Sequence, residues 1–285
     1  MVRAGSGVLT MPERKVTQVA TGFEFTEGPV FSRRGYLLFS DIPTQRIHKM
    51  EQGATWWVTR LSGPNKSEGA AVTVLRENTN RANGLTFDHQ GRLLICEAAG
   101  RVIRIEKNGS TTVLAEGLQG PNDLVYSIDG SVYFSDLPAG KVYQITRERS
   151  GVGGAPPRGE VRVVATDCLA PNGVALSPDQ SKLYVADSKK QLVRVYVIAP
   201  DGRLEGGRDF ASLRCDGLKT DESGNVWVAA HGAIQVFDAA GRAVETIPMP
   251  EEPSNVAWGG GGLYVTAGKS VYFVETKGVA GTRTF

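Results

Sequence analysis

Six short phrases hold the residues best suited to do chemistry in this chain. In order they are Glu27-Gly28-Pro29-Val30, Asn83-Gly84-Leu85-Thr86, Asn122-Asp123-Leu124-Val125, Asn172-Gly173-Val174-Ala175, Asp216-Gly217-Leu218-Lys219 and Asn255-Val256-Ala257-Trp258. Their leading members are two carboxylates and four amides, with no histidine or cysteine among them. Carboxylate and amide oxygens are hard donors, suited to calcium or magnesium rather than to zinc or copper. Two negative charges would neutralise a divalent cation, and amide oxygens would fill further positions. A plainer account is also open, because Asn, Asp and Gly are ordinary turn residues ahead of a strand. Glu27 fits that account poorly, since Glu is a weak turn former.

The elements that must bring these positions together can be read from their spacing. The phrases recur at intervals whose mean is about 48 residues, within the range of propeller blades. Each stands just before a short run rich in aromatic and β-branched residues, such as Tyr36-Leu37-Leu38-Phe39, Lys182-Leu183-Tyr184-Val185 or Gly262-Leu263-Tyr264-Val265. These runs are bounded by turn pairs such as Asp129-Gly130 and Asn108-Gly109, and no stretch has helical periodicity. The fold expected is all-β: a six-bladed β-propeller in which residues 14–20 supply the strand that completes the last blade and closes the ring. The innermost strand of each blade lines the axis, so the leading residues would form one ring at a channel mouth. The expected organisation is a tail over 1–13, one propeller over 14–276 and a second tail over 277–285. Segments 52–69 and 147–159 interrupt the repeat and read as surface loops.

Composition narrows the function classes. Thirty-two basic residues against 30 acidic ones give a net charge of +2, with no basic block of the kind that marks a nucleic-acid footprint. No apolar run approaches the roughly 20 residues that span a bilayer, and the first 15 residues lack the apolar core of a signal peptide. Cys96, Cys168 and Cys215 are odd in number and widely spaced, which argues against a disulfide framework and for a reducing, cytoplasmic setting. Glycine numbers 35 of 285, about 12% against the usual 7%, so something in the fold demands many tight turns.

At the residues of the six phrases the chain resembles the gluconolactonase family, which also holds regucalcin (senescence marker protein) and luciferin-regenerating enzyme. The resemblance is carried by Glu27-Gly28-Pro29-Val30 with Leu38-Phe39-Ser40-Asp41-Ile42-Pro43, by Ala82-Asn83-Gly84-Leu85-Thr86 and by Gly120-Pro121-Asn122-Asp123. It continues through Pro171-Asn172-Gly173 with Tyr184-Val185-Ala186-Asp187, Asp216-Gly217-Leu218 and Pro253-Ser254-Asn255-Val256. What it implies is a propeller with one divalent cation, usually calcium and exchangeable with Mg²⁺, Mn²⁺ or Zn²⁺, held by Glu27, Asn122, Asn172 and Asp216. Regucalcin-type members lack the third-blade amide, so Asn122 sets this chain with the bacterial gluconolactonases and diisopropyl fluorophosphatase. Arg81-Ala82-Asn83 resembles the substrate-contacting Arg-x-Asn of regucalcin, although many bacterial members lack that Arg. Asp123 matches an aspartate that acts as proton shuttle in related lactonases.

The chemistry implied is hydrolysis of a sugar lactone to the aldonic acid. Asp123 would take the proton of water and return it to the leaving alkoxide, or would only orient a water at the site. Arg81 and Asn83 would hold sugar hydroxyls. Phosphotriester or fluorophosphate hydrolysis would use the same ligands, and a binding propeller without catalysis would need none of them. The partner expected is a small lactone, with no nucleic acid and no membrane; monomer and dimer are both open. Asp41, Glu97, Asp136 and Asp187 recur at one blade position and read as caps of strand ends. His48, His89 and His231 have no partner in view, and the cysteines read as buried hydrophobes.

Overall fold

The computed structural model describes residues 14–51, 71–148 and 159–282. Within them lie 24 strands, β1 to β24 in chain order, and no helix. They form six four-stranded antiparallel sheets. The innermost strands are β2 (Thr26–Ser32), β6 (Ala82–Phe87), β10 (Pro121–Tyr126), β14 (Pro171–Leu176), β18 (Cys215–Thr220) and β22 (Pro253–Gly259). Each touches the next, and β22 touches β2, so the sheets close into a six-bladed propeller. The last blade is completed from the other end of the chain. β1 (Val16–Thr21) lies antiparallel to β24 (Ser270–Glu275), with Val16 opposite Val274 and Thr21 opposite Ser270. The whole of segment 52–69 and residues 149–158 of the second segment lie outside the described residues, as do 1–13. The described part of the C-terminal stretch does not stand off from the propeller: Gly281 bridges Asp221, and the Thr282 N–H donates to the Thr220 carbonyl at 3.0 Å.

The runs are apolar on both faces because each sheet is sandwiched between two others. Six apolar clusters form, one at each blade interface. Between the fourth and fifth blades, for example, Tyr184, Val195 and Phe210 pack against Leu218, Val228 and Phe237. Burial of this kind is the main force that holds blade to blade.

In every blade the innermost strand bulges after its first residues. An extra residue there bends the strand and re-aims its side chains. The register also corrects one alignment made from sequence. Pro253 pairs with Ala267 and Val256 with Val265, just as Pro121 pairs with Asp136 and Leu124 with Phe134. Ser254 therefore takes the leading place in the sixth blade, and Asn255 takes the place that glycine fills elsewhere. The ring of glycine places runs Gly28, Gly84, Asp123, Gly173, Gly217, Asn255.

Those places are where neighbouring innermost strands come closest. A Cβ added to Gly84 would stand 2.7 Å from both the Asn122 carbonyl oxygen and the Asp123 Cα, and one on Gly173 would stand 2.6 Å from the Asp216 carbonyl oxygen. Both obstacles are backbone, which cannot move without shifting a blade. Gly117, by contrast, has φ +72° and open space around it. Gly84→Ala is expected to lower stability by about 3 kcal/mol through overpacking, and Gly117→Ala by only about 1 kcal/mol through its left-handed backbone. Denaturant unfolding of the two variants measures the difference.

Candidate metal centre

Glu27, Asn122, Asn172 and Asp216 each occupy the second position of an innermost strand, on β2, β10, β14 and β18, and the bulges gather them at one end of the channel. Hydroxyls from neighbouring blades fix the backbone of this ring. Ser40 Oγ donates to the Asn83 carbonyl at 2.7 Å, Ser135 Oγ to the Asn172 carbonyl at 2.5 Å, and Ser254 Oγ to the Thr26 carbonyl at 2.7 Å.

The side-chain hydrogen bonds decide which oxygens are left free. Ser188 Oγ donates to the Cys215 carbonyl at 3.0 Å, so toward Asn172 it can only accept. The Asn172 Nδ2 occupies that contact at 3.0 Å, which turns Oδ1 away from the serine. Asn255 is set the opposite way: its Oδ1 accepts the Val256 N–H at 2.8 Å and its Nδ2 donates to Glu27 Oε2 at 3.2 Å. Asn255 thus holds a ring carboxylate. The outcome is that Asn83 Oδ1, Asn172 Oδ1 and Asp216 Oδ1 are buried with no hydrogen-bond partner among the described residues. Buried polar atoms are nearly always satisfied, and three unsatisfied acceptors in one ring call for a cation or a hydrogen-bond donor. Among the described residues no three His, Cys, Asp or Glu side chains group to hold a metal. The donor set is a mixed carboxylate–amide one, as an oxygen-liganded cation requires.

Electrostatics point the same way. Burial pushes the Glu27 carboxyl up to about 7; the Gly28 N–H at 2.6 Å opposes this and the Asp123 charge adds to it. Asp216 is pushed well above the usual carboxylate range, first by burial and then by the charges of Glu27 and Asp123. A carboxyl raised in the folded state binds more protons folded than unfolded, so stability without a cation falls as pH rises from about 4.5 through about 7.

The other expected residues take distinct places. Asn83 lies in the same ring on β6 and is 7% exposed. Arg81, at φ +60°, stands exposed ahead of β6. Asp123 is 2% exposed: its Oδ1 accepts the Leu124 N–H at 2.9 Å, and its Oδ2 accepts the Val174 N–H at 3.1 Å and faces Lys219 Nζ at 3.5 Å. Sequence reasoning passed over Lys219, Ser188 and the clamp by Asn255. Asp41, Asp136 and Asp187 each accept two backbone N–H groups from the loop leading into their blade's innermost strand, whereas Glu97 pairs with Arg101 and Asn80. His48 stacks on Phe39, His89 meets Tyr126, and His231 Nδ1 lies 3.0 Å from Glu252. The three cysteines are free and buried, and burial raises each thiol.

A six-bladed propeller with an acidic, oxygen-lined ring at one channel mouth is thus the class of protein that fold and site define. Residues 25–269 match the family model described as the SMP-30/Gluconolactonase/LRE-like region, and the chain belongs to that family. It is 28% identical to the gluconolactonase of Zymomonas mobilis over 91% of this chain and 80% of that one. With the pentonolactonase XacC of Haloferax volcanii the identity is 27%, over 88% and 84%. The structure of a gluconolactonase from Xanthomonas campestris superposes with a TM-score of 0.77 at 25% identity, covering 92% of this chain and 89% of that one. Among the described residues no helix is long and apolar enough to cross a membrane.

Asp216→Asn removes one of the crowded buried charges. In chelator at pH 8 the variant is expected to melt about 3 °C or more above the parent, with the gain shrinking as pH falls and the raised Glu27 and Asp216 carboxyls take up protons. Added calcium should raise the parent's melting temperature and leave the variant's unchanged. Thermal melts with and without chelator read both effects.

Proposed function

We propose that this protein is a hydrolase that opens a sugar lactone to its aldonic acid, with one divalent cation held by Glu27, Asn122, Asn172 and Asp216. The observation that carries this reading is the set of buried, partnerless oxygens beside two crowded carboxylates, in a chain whose relatives include gluconolactonases and a pentonolactonase. Calcium suits the donors best, since it takes six to eight oxygens and the protein offers four side chains. Once bound, the cation supplies a Lewis acid that polarises the ester carbonyl and offsets the charge developing on its oxygen.

The chain's own residues orient the reactants. Asn83, whose buried Oδ1 has no partner among the described residues, would accept from a sugar hydroxyl that reaches into the ring. Arg81, exposed at the same blade, adds donors in a planar fork. Asn255 and the Gly28 N–H hold Glu27 in place through Oε2. In the reaction, water oxygen bonds to the carbonyl carbon, the ring C–O bond breaks, and the leaving alkoxide takes up the proton that the attacking water gives up. Of the two parts open to Asp123, its hydrogen bonds favour the orienting one. Both oxygens accept backbone N–H groups, and a residue so deeply buried is poorly placed to take a proton from mouth water.

A pH-indicator assay with gluconolactone tests the proposal. Excess chelator is expected to abolish hydrolysis, and Glu27→Gln or Asp216→Asn to lower kcat/KM by roughly 10³-fold. Undiminished hydrolysis in chelator would overturn it. Asp123→Asn should weaken calcium binding more than it lowers kcat at saturating calcium; a collapse of kcat with calcium still bound would return the proton-transfer part to Asp123.

A further inference from the structure

Below the ring of glycine places, each innermost strand sends one more residue toward the axis. By the register these are Val30, Thr86, Val125, Ala175, Lys219 and Ala257, and all six line one cavity in the channel. Lys219 alone among them is charged. Its side chain is 16% exposed, and its Nζ lies 3.5 Å from Oδ2 of Asp123, whose side chain is 3% exposed. An ammonium set among Val, Thr and Ala is costly to bury unless an anion meets it, and its neighbours are the acids of the candidate metal centre. Lys219 also acts electrostatically on Glu27.

We infer that Lys219 is a built-in counter-ion that sets the charge of the metal centre: three buried carboxylates, Glu27, Asp123 and Asp216, less one ammonium, leave the two negative charges that a divalent cation neutralises. Lys219 is a positioning residue in this account. It pairs with Asp123 beneath the ring and fixes how strongly the site attracts cations, without touching substrate. The inference rests on the cation reading given above.

Calcium titration calorimetry on four chelator-stripped proteins tests it. Removing Asp123 leaves one net negative charge, so Asp123→Asn should bind calcium roughly tenfold more weakly than the parent. Removing the lysine from that background restores the balance, so Asp123→Asn/Lys219→Met should bind roughly as the parent does. Lys219→Met alone should bind roughly tenfold more tightly, and Lys219→Arg within about twofold of the parent. Equal affinities for Asp123→Asn and the double variant would overturn the inference, because in that pair the lysine is the only difference. If the parent binds no calcium, the cation reading fails and the pair is judged on the metal-free proteins. There Lys219→Met should lower the melting temperature and Asp123→Asn in the same chain should restore it. No fall, or no restoration, would then overturn the pairing as well.

Discussion

The architecture depends on how closely six innermost strands approach one another around the axis. At Gly28 and Gly84 the next strand's backbone stands where a side chain would begin. Such contact is possible only where Cβ is absent, or where, as at Asp123 and Asn255, the side chain turns back onto a following N–H. The bulge in each strand follows from this crowding, and it swings the preceding residue toward the mouth. Ring radius, the convergence of Glu27, Asn122, Asn172 and Asp216, and the apolar layers between blades form one geometric solution.

Convergence creates an electrostatic problem that hydrogen bonding only partly answers. Glu27 receives the Gly28 N–H and the Asn255 amide, yet burial still lifts its carboxyl to about 7. Asp216 keeps one oxygen without a partner among the described residues. Stability is given up at this mouth and recovered in the six apolar layers and the ring closure by β1, an arrangement common where a site must be held ready for a ligand. The caps at Asp41, Asp136 and Asp187 add rigidity by tying each approach loop to the second strand of its blade.

Much of this was legible in the sequence because a propeller repeats its chemistry. Six phrases before six alternating runs carry the blade count, and an orphan strand pattern around Val16 carries the closure. The finer assignments were not legible, for a physical reason. Asn172 and Asn255 are the same residue in nearly the same phrase, but one has its amide nitrogen taken by Ser188 and the other its amide oxygen taken by Val256. That difference comes from a one-residue offset in the sixth blade, fixed by the pairing of Pro253 with Ala267 and of Val256 with Val265. Nothing in the phrase Asp216-Gly217-Leu218-Lys219 marks Lys219 as a partner of Asp123, from which its Nζ lies 3.5 Å. Only the register of β18 turns it inward.

The central claim is that one cation in this ring enables lactone opening. Chelator-stripped protein, held well above its calcium dissociation constant, should be titrated with calcium while gluconolactone hydrolysis is followed at each addition. The account predicts a rate that climbs linearly from near zero and stops at one equivalent per chain. Full hydrolysis by the stripped protein, or a rate indifferent to calcium, would contradict it.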